Sequence, residues 1–253
     1  MTYVEGFVLA VPTANREAYR KHAADAAPLF EEFGVERMVE AWGDDVPRGK
    51  VTDFYGAVQA KEDEAVVFSW FEYPDRATRD AANARMMSDP RMKEMGASMP
   101  FDGQRMIISG FAAIVEEGAG GAMGYVDGYV LPVPHDKKDA YREMAREMSP
   151  LFREHGATRI VEAWGDDVPD GKVTDFRRAV KAEEGENVVF SWIEWPSKQA
   201  RDEGWKKVMA DERMQPDKHK MPFDGQRMFW AGFTPIVDTG AHTDVQAGES
   251  IPA

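Results

Sequence analysis

The sequence contains no cysteine among its 253 residues. Disulfide bonds, thiolate nucleophiles, iron–sulfur clusters and thiolate zinc sites are therefore excluded. It also lacks any run approaching the roughly 18 consecutive apolar residues of a membrane-spanning helix. Basic residues are scarce, since 31 lysines and arginines stand against 45 aspartates and glutamates and leave a formal net charge of -14.

The acidic charge bears on the choice of partner. A negative field repels phosphate backbones and anionic membranes, and no local basic stripe offsets it, so we expect neither nucleic acid nor a membrane as a partner. Residues 1–6 carry an acid where a secretory signal carries lysine or arginine, so cytoplasmic residence is the expectation. No pattern implies a metal or a cofactor.

The chain is one domain written twice. Tyr3–Leu9 returns as Tyr125–Leu131, and the same spacing of 122 residues continues without a gap to Ile236–Val237. About 60 of about 114 aligned positions are identical, far more than a shared period of secondary structure produces. We predict a first domain at 1–116, a flexible linker at 117–124, a second domain at 125–238 and a disordered tail at 239–253.

Each copy has the predicted element order βαββαβ. A first helix is expected to begin at Thr13 and end at Gly34, and a second is capped by Asp75, or by Ser197 in the second copy, and runs to about Met95. The strands of the first copy are predicted at residues 3–11, 37–42, 66–73 and 105–115. This order is the ferredoxin-like arrangement, an α+β fold with both helices on one face of an antiparallel sheet.

The other face of each sheet needs a cover. The third strand, 66–73, is apolar at both its odd and its even positions, so both of its faces must be buried. The second copy supplies a sheet within the same chain, and a linker of about eight residues can reach roughly 26 Å. We therefore predict two ferredoxin-like domains whose antiparallel sheets pack as an intrachain dimeric α/β barrel, with further homo-oligomerisation left open.

Several blocks carry a resemblance to a known family. They are Glu40–Pro47, Gly49–Phe54, Val67–Trp70 and Met99–Met106, matched in the second copy by Glu162–Phe176, Val189–Trp192 and Met221–Met228. These blocks closely resemble the YbaA-like proteins, short bacterial proteins of unknown function in the dimeric α/β-barrel superfamily. The resemblance implies a tandem duplication of that domain and its fold, but no catalytic residue. The wider superfamily includes cofactor-free monooxygenases, haem-degrading enzymes, isomerases and ligand-sensing modules, which is an analogy of fold alone.

The densest identity between the copies includes polar residues that core packing does not require. Val39–Phe54 and Val161–Phe176 differ only at Arg48 and Asp170. Loops on rigid scaffolds often carry binding groups, so the candidate ligand contacts in this block are Asp44, Asp53, Asp166 and Asp175. The alternative is that these side chains tie the turn to its own backbone. The spacing of the aspartates does not match a calcium loop, and no metal site is predicted.

A second pattern places a carboxylate two residues from a tryptophan, so that both project from one strand face. The pairs are Glu40 with Trp42 and Trp70 with Glu72, repeated as Glu162 with Trp164 and Trp192 with Glu194. An apolar cavity would raise a glutamate pKa and suit it to acid–base work, so the four glutamates are candidate catalytic residues and the four tryptophans candidate ligand contacts. The alternative is a glutamate paired with arginine or facing solvent.

Two arginines are further candidates for ligand binding, and the sequence leaves two functions as alternatives. Arg105 and Arg227 are candidate clamps for an anionic ligand group. The leading hypothesis is that the barrel binds a small molecule in a cavity, and this hypothesis includes cofactor-independent catalysis on that molecule. The alternative is a non-catalytic structural or stress-related module with a packed interior, whose recurring residues serve the fold and the domain interface. None of the five histidines recurs in the other copy, which argues against histidine catalysis in both halves.

Overall fold

The computed structural model describes residues 2–214 and 221–241. The strands are β1 (Tyr3–Pro12), β2 (Arg37–Asp45), β3 (Glu64–Tyr73), β4 (Ile107–Glu117), β5 (Tyr125–Pro134), β6 (Arg159–Asp167), β7 (Glu186–Trp195) and β8 (Phe229–Asp238). The helices are α1 (Arg16–Phe33), α2 (Phe54–Ala57), α3 (Arg76–Ser88), α4 (Pro90–Ala97), α5 (Lys138–Glu154), α6 (Phe176–Ala179) and α7 (Lys198–Ala210). Within the described ranges, no helix has both the length and the apolar character needed to cross a bilayer.

Local signals in the sequence set several helix ends. Gly34 ends α1 in the left-handed region, with φ of 111°, a conformation that glycine adopts without steric cost. At the start of α3, the Asp75 side chain accepts the backbone N–H of Thr78 at 2.8 Å. Ser197 caps α7 in the same way. These three predicted boundaries are confirmed.

Two other boundaries differ from the prediction. The helix expected to run on to about Met95 breaks at Asp89, which caps a new helix, α4, with Pro90 in the first position, where a missing N–H costs nothing. Thr13 does not cap α1. Its hydroxyl donates to the carbonyl oxygen of Asp63 at 3.0 Å, within a short 3-10 turn that precedes the helix.

The eight strands close into one antiparallel barrel in the order β1-β3-β2-β8-β5-β7-β6-β4. Two seams join the halves, one between β2 and β8 and the other between β4 and β6. The long helices of each half pack on the outer face, and the short helices α2 and α6 contribute to the core of the barrel. The predicted α+β fold, with two ferredoxin-like domains forming an intrachain barrel, is confirmed.

Aromatic side chains from both halves fill the barrel interior. Phe68 and Phe190 stack with ring centroids 4.4 Å apart and an angle of 4° between their planes. A Cβ atom on Gly6 would lie 3.0 Å from the Phe190 ring, and one on Gly128 would lie 2.9 Å from the Phe68 ring. Glycine at these two positions therefore lets each half seat a ring of the other half against its first strand.

The segment that joins the halves is packed against the second half. Met123 is buried in the core cluster of the barrel, and the Gly124 N–H donates to the carbonyl oxygen of Trp195 at 3.0 Å. After β8, a short turn follows, in which the Thr239 hydroxyl accepts the Met38 N–H at 2.9 Å. The remainder of the predicted disordered tail, 242–253, lies outside the described residues.

Candidate functional site

Each half holds a pocket between its helices and the outer face of the barrel. The first pocket has a volume of about 250 Å³ and lies beneath α1, α3 and α4, and the second has a volume of about 230 Å³ and lies beneath α5 and α7. Both are walled mainly by apolar side chains, which in the first pocket include Leu9, Phe30, Met38, Phe71, Met86 and Met92. A third cavity, of about 350 Å³, lies between the loops of the two halves and has a more polar lining, which includes Asp53, Arg178 and Lys181.

The first pocket has a glutamate–tyrosine pair in its wall. Strand alternation turns Glu40 of β2 toward α1, where the Tyr19 hydroxyl donates to its Oε2 at 2.5 Å. Burial raises the pKa of Glu40 to about 7, while hydrogen bonds from Tyr19 and Ser69 act in the opposite direction. The carboxyl group thus has hydroxyl partners only, and it changes protonation state near neutral pH.

The second pocket repeats this geometry. The Tyr141 hydroxyl donates to Glu162 at 2.5 Å, and burial raises the pKa of Glu162 to about 7 against hydrogen bonds from Tyr141 and Ser191. Burial also raises the pKa of Tyr141 well above its usual value, as it does for Tyr19, so both phenols stay protonated. Both halves therefore present the same glutamate–tyrosine pair to an apolar pocket.

The far wall differs between the pockets. In the first pocket, the Asn83 amide donates to Glu5 at 2.8 Å, and both side chains line the cavity. The aligned residues of the second half are Asp127 and Trp205, and the indole N–H donates to the aspartate at 2.8 Å. The first pocket also includes His22, a half-buried side chain whose pKa is lowered by burial.

The candidate glutamates Glu72 and Glu194 lie inside the barrel. Arg159 of the other half binds Glu72 through both carboxylate oxygens, at 2.8 and 2.7 Å. Arg37 binds Glu194 in the same bidentate manner, at 2.8 and 3.2 Å. Although burial acts to raise the pKa of Glu72, the hydrogen bonds and charge of Arg159 hold it below the usual value. This arrangement corresponds to the arginine-paired alternative and joins the two halves.

The tryptophans divide between the two faces. Trp70 and Trp192 are fully buried inside the barrel with ring centroids 4.6 Å apart, and each indole N–H donates at 3.0 Å to the glutamate two residues later. Trp42 and Trp164 lie on the outer face with Glu40 and Glu162. Their predicted pairing by strand face is confirmed. None of the four lines either pocket as the described residues define it.

The candidate arginines support the loop before the last strand of each half. Arg105 binds Glu64 with both terminal nitrogens, at 2.7 and 2.6 Å, and Arg227 binds Glu186 at 2.6 and 2.8 Å. Each arginine also donates to an aspartate three residues earlier. Ligand contact by Arg105 and Arg227 stays a prediction on which the proposed site does not depend.

The candidate aspartates take two structural positions. Asp53 and Asp175 cap the short helices α2 and α6 and also accept a backbone N–H from the preceding turn. Asp44 accepts from Lys198 across the interface between the halves at 2.5 Å, and Asp166 accepts from Arg76 at 2.8 Å. These contacts match the alternative in which the loop residues serve the fold, and ligand contact stays a prediction.

Sequence reasoning identifies Glu40 and Glu162 but misses their partners. The helical spacing places Tyr19 in an apolar stripe, and Ser69 lies in a strand that is otherwise apolar. Both recur in the second copy, as Tyr141 and Ser191. The signal that could have identified Ser69 as a partner of Glu40 is a hydroxyl that recurs in both copies at the centre of a buried strand. Across residues 2–214 and 221–241, no group of three or more histidine, aspartate or glutamate side chains is placed to hold a metal ion.

Solved structures with the same architecture are distant in sequence. A Fusobacterium nucleatum protein matches with a TM-score of 0.59 and 12% identity, over 94% of this chain and 93% of that one. A Lactobacillus acidophilus protein matches with a TM-score of 0.52 and 9% identity, over 94% and 95% of the two chains. Each of these two proteins is named "putative monooxygenase". At this identity the likeness shows the fold alone.

The sequence comparisons identify the family. The uncharacterised protein YbaA of Escherichia coli K12 is 65% identical over 117 residues, which is all of that protein and 46% of this chain. The YbaA protein of Shigella flexneri matches equally well. The family profile described as "Protein of unknown function (DUF1428)" matches twice, at residues 2–103 and 124–225. The chain therefore belongs to the DUF1428 family, as a tandem duplication of its YbaA-like domain.

Proposed function

We propose that each half binds a small, mainly apolar molecule in its outer-face pocket, and that Glu40 and Glu162 transfer a proton to or from it. The observation that carries this proposal is a buried carboxyl group with a pKa of about 7 and no cationic partner, in the wall of an apolar cavity. A general acid or base works best when its pKa lies near the working pH. The two glutamates meet that condition.

The surrounding residues suit proton transfer. Tyr19 and Ser69 each donate a hydrogen bond to Glu40, and because a carboxylate has about four acceptor positions, it can still accept one from a bound molecule. Because an apolar wall weakens hydration, a ligand hydroxyl or an activated C–H bond beside Glu40 would lose its proton to the protein rather than to water. The chemistry that fits is therefore proton abstraction from an apolar substrate, without a cofactor.

The first experiment identifies a ligand. Native mass spectrometry of the protein from its host, followed by a thermal-shift screen, detects compounds that bind the folded state and raise Tm. Binding of small apolar compounds supports the proposal. If no compound binds, the chain is better described as the non-catalytic structural or stress-related module.

The second experiment tests catalysis. The Glu40→Gln, Glu162→Gln double variant should still bind the ligand, but for a ligand with an activated C–H bond it should exchange that hydrogen with D2O about 100-fold more slowly or worse, as followed by proton NMR. Oxygen uptake is measured in parallel, because two structural neighbours are named "putative monooxygenase". The control is Glu17→Gln, on the exposed face of α1. Unchanged exchange in the folded double variant would show that these glutamates are not the acid–base groups.

Cytoplasmic residence and further homo-oligomerisation stay predictions.

A further inference from the structure

The first pocket has a second carboxyl group at its far wall. Glu5 pairs in register with Phe71 of β3, which also pairs with Met38 of β2. Glu40 pairs with Ser69, two residues before Phe71 in β3. Glu5 and Glu40 are therefore two strands and two residues apart on one face. With strands about 4.8 Å apart and a rise of about 3.4 Å per residue, their Cα atoms lie about 12 Å apart. The cavity thus has a polar group near each end and apolar walls between them.

Glu5 has less hydrogen bonding than its buried position calls for. Its one short contact is the Asn83 amide at 2.8 Å, while the Tyr73 hydroxyl lies at 3.5 Å and the nearest Arg79 nitrogen at 3.6 Å. A carboxylate has about four acceptor positions. The Glu5 side chain is only 3% exposed, so water from outside reaches it poorly. Acceptor capacity is therefore left at this end of the pocket.

The second half supplies a natural comparison. Asp127, which aligns with Glu5, accepts from Trp195 at 3.0 Å, from Trp205 at 2.8 Å and from Arg201 at 2.8 Å. Trp205 stands where the first half has Asn83, and it lines the second pocket while Asp127 does not. The same position is therefore satisfied by protein donors in one half and open toward the cavity in the other.

We propose that the first pocket takes an elongated apolar molecule with a hydrogen-bond donor, a hydroxyl or an amine, at the end that meets Glu5, and that the second pocket does not select for this donor. This inference rests on the proposed function, because the other end of the same molecule lies at Glu40. A cavity of about 250 Å³ is slightly smaller than the pockets of drug-sized ligands, which fits a frame of one or two fused rings. The two halves then differ in specificity while keeping the same acid–base pair.

A matched pair of probes tests the donor. The probes are 2,6-dihydroxynaphthalene, with a hydroxyl at each end, and 6-methoxy-2-naphthol, in which one donor is removed. Affinity is measured by calorimetry on the full chain. The occupied pocket is identified by NMR of methyl-13C methionine, because Met86 and Met92 line the first pocket and Met144 and Met148 the second. The diol should bind the first pocket about five- to tenfold more tightly than the ether, the effect of one hydrogen bond. In the second pocket, the two probes should bind alike.

Exchanging the natural residues between the halves sharpens this test. Asn83→Trp should remove the preference for the diol in the first pocket, and Trp205→Asn should create one in the second. Glu5→Gln is the conservative second variant if Asn83→Trp does not fold, and it should reduce the preference at least threefold. Far-UV circular dichroism and Tm check folding in each case.

The outcomes separate the two proposals. Equal affinity of the two probes in the first pocket of the unchanged protein overturns the donor inference and leaves the proposed function standing. A preference for the diol that survives both Asn83→Trp and Glu5→Gln also overturns it, since the donor must then lie elsewhere. Failure of both probes to perturb any pocket methionine overturns the inference and the proposed function together.

Discussion

The two faces of the barrel treat the same residue type in opposite ways. On the inner face, Glu72 is bound at both oxygens by Arg159, and its pKa is held below the usual value. On the outer face, Glu40 meets Tyr19 and Ser69 only, and burial raises its pKa to about 7. The inner carboxylate is neutralised by a permanent cation and serves the junction of the halves. The outer one is left able to exchange a proton.

This contrast teaches that burial alone does not mark a functional carboxylate. Both glutamates are 6% exposed, and both are flanked by aromatic rings. The difference lies in the partner, because a guanidinium stabilises the charge whereas a phenol stabilises it less than burial penalises it. Four expected outcomes test the contrast, in order of decreasing effect.

The largest effect is expected from the stacked tryptophans of the interior. Trp192→Ala should lower the free energy of unfolding by about 3–5 kcal/mol, because it removes a fully buried ring from a packed core. In the Trp70→Ala, Trp192→Ala double variant, the combined loss should approach the whole free energy of unfolding of a typical domain, so this variant should fail to fold. Urea unfolding at pH 7 measures both. Trp230→Ala is the matched control, since that ring is 39% exposed, and it should cost much less. Ligand loss in a folded double variant would instead favour the interior as the binding site.

Breaking the arginine pairing on the inner face comes next. Arg159→Ala leaves Glu72 buried without its bidentate partner, and this should cost about 3–5 kcal/mol. Arg20→Ala, at an exposed ion pair, should leave the free energy of unfolding unchanged within error. A loss for Arg159→Ala as small as that of the exposed control would mean that the inner carboxylates do not depend on arginine.

Removing the outer carboxyl group should change stability in a way that depends on pH, unlike removing the inner one. The pKa of Glu40 is about 7 when folded and near 4.5 when unfolded, so the wild type loses stability as pH rises between these values, by about 3 kcal/mol. Glu40→Gln cannot ionise, so its stability relative to wild type should rise by about that amount from pH 5 to pH 8. Glu72→Gln should be destabilising over the same range without such a rise, because the pKa of Glu72 is lowered. Parallel urea titrations at both pH values decide between these behaviours.

The smallest effect is expected at the exposed junction of the halves. Lys198→Ala removes a contact of 2.5 Å to Asp44, but the lysine is half exposed, so the cost should be at most about 1 kcal/mol. The loss should fade in 1 M salt, where the Debye length is about 3 Å. A larger loss that resists salt would indicate that this loop carries more of the interface than its exposure suggests.

The sequence predicts the barrel well and the site only partly, for a physical reason. The spacing of 122 residues predicts two copies, and the apolar faces of the third strand predict that the sheets close on each other. Strand alternation pairs Glu40 with Trp42 and Trp70 with Glu72, but a period of two does not say which pair faces the interior. That choice depends on Phe190 and other rings from the second copy, and on Arg159, which is 87 residues from Glu72.

The most direct test of the central claim is the pKa of Glu40 itself. Carbon-13 NMR of the glutamate side-chain carboxyl carbons, titrated from pH 3 to pH 9, gives a separate midpoint for each glutamate, and Glu40→Gln assigns the signal. The structure predicts a midpoint near 7 for Glu40 and one below 4.5 for Glu72. A Glu40 midpoint near 4.5 would contradict the account, because the outer carboxyl group would then be as permanently charged as the inner one.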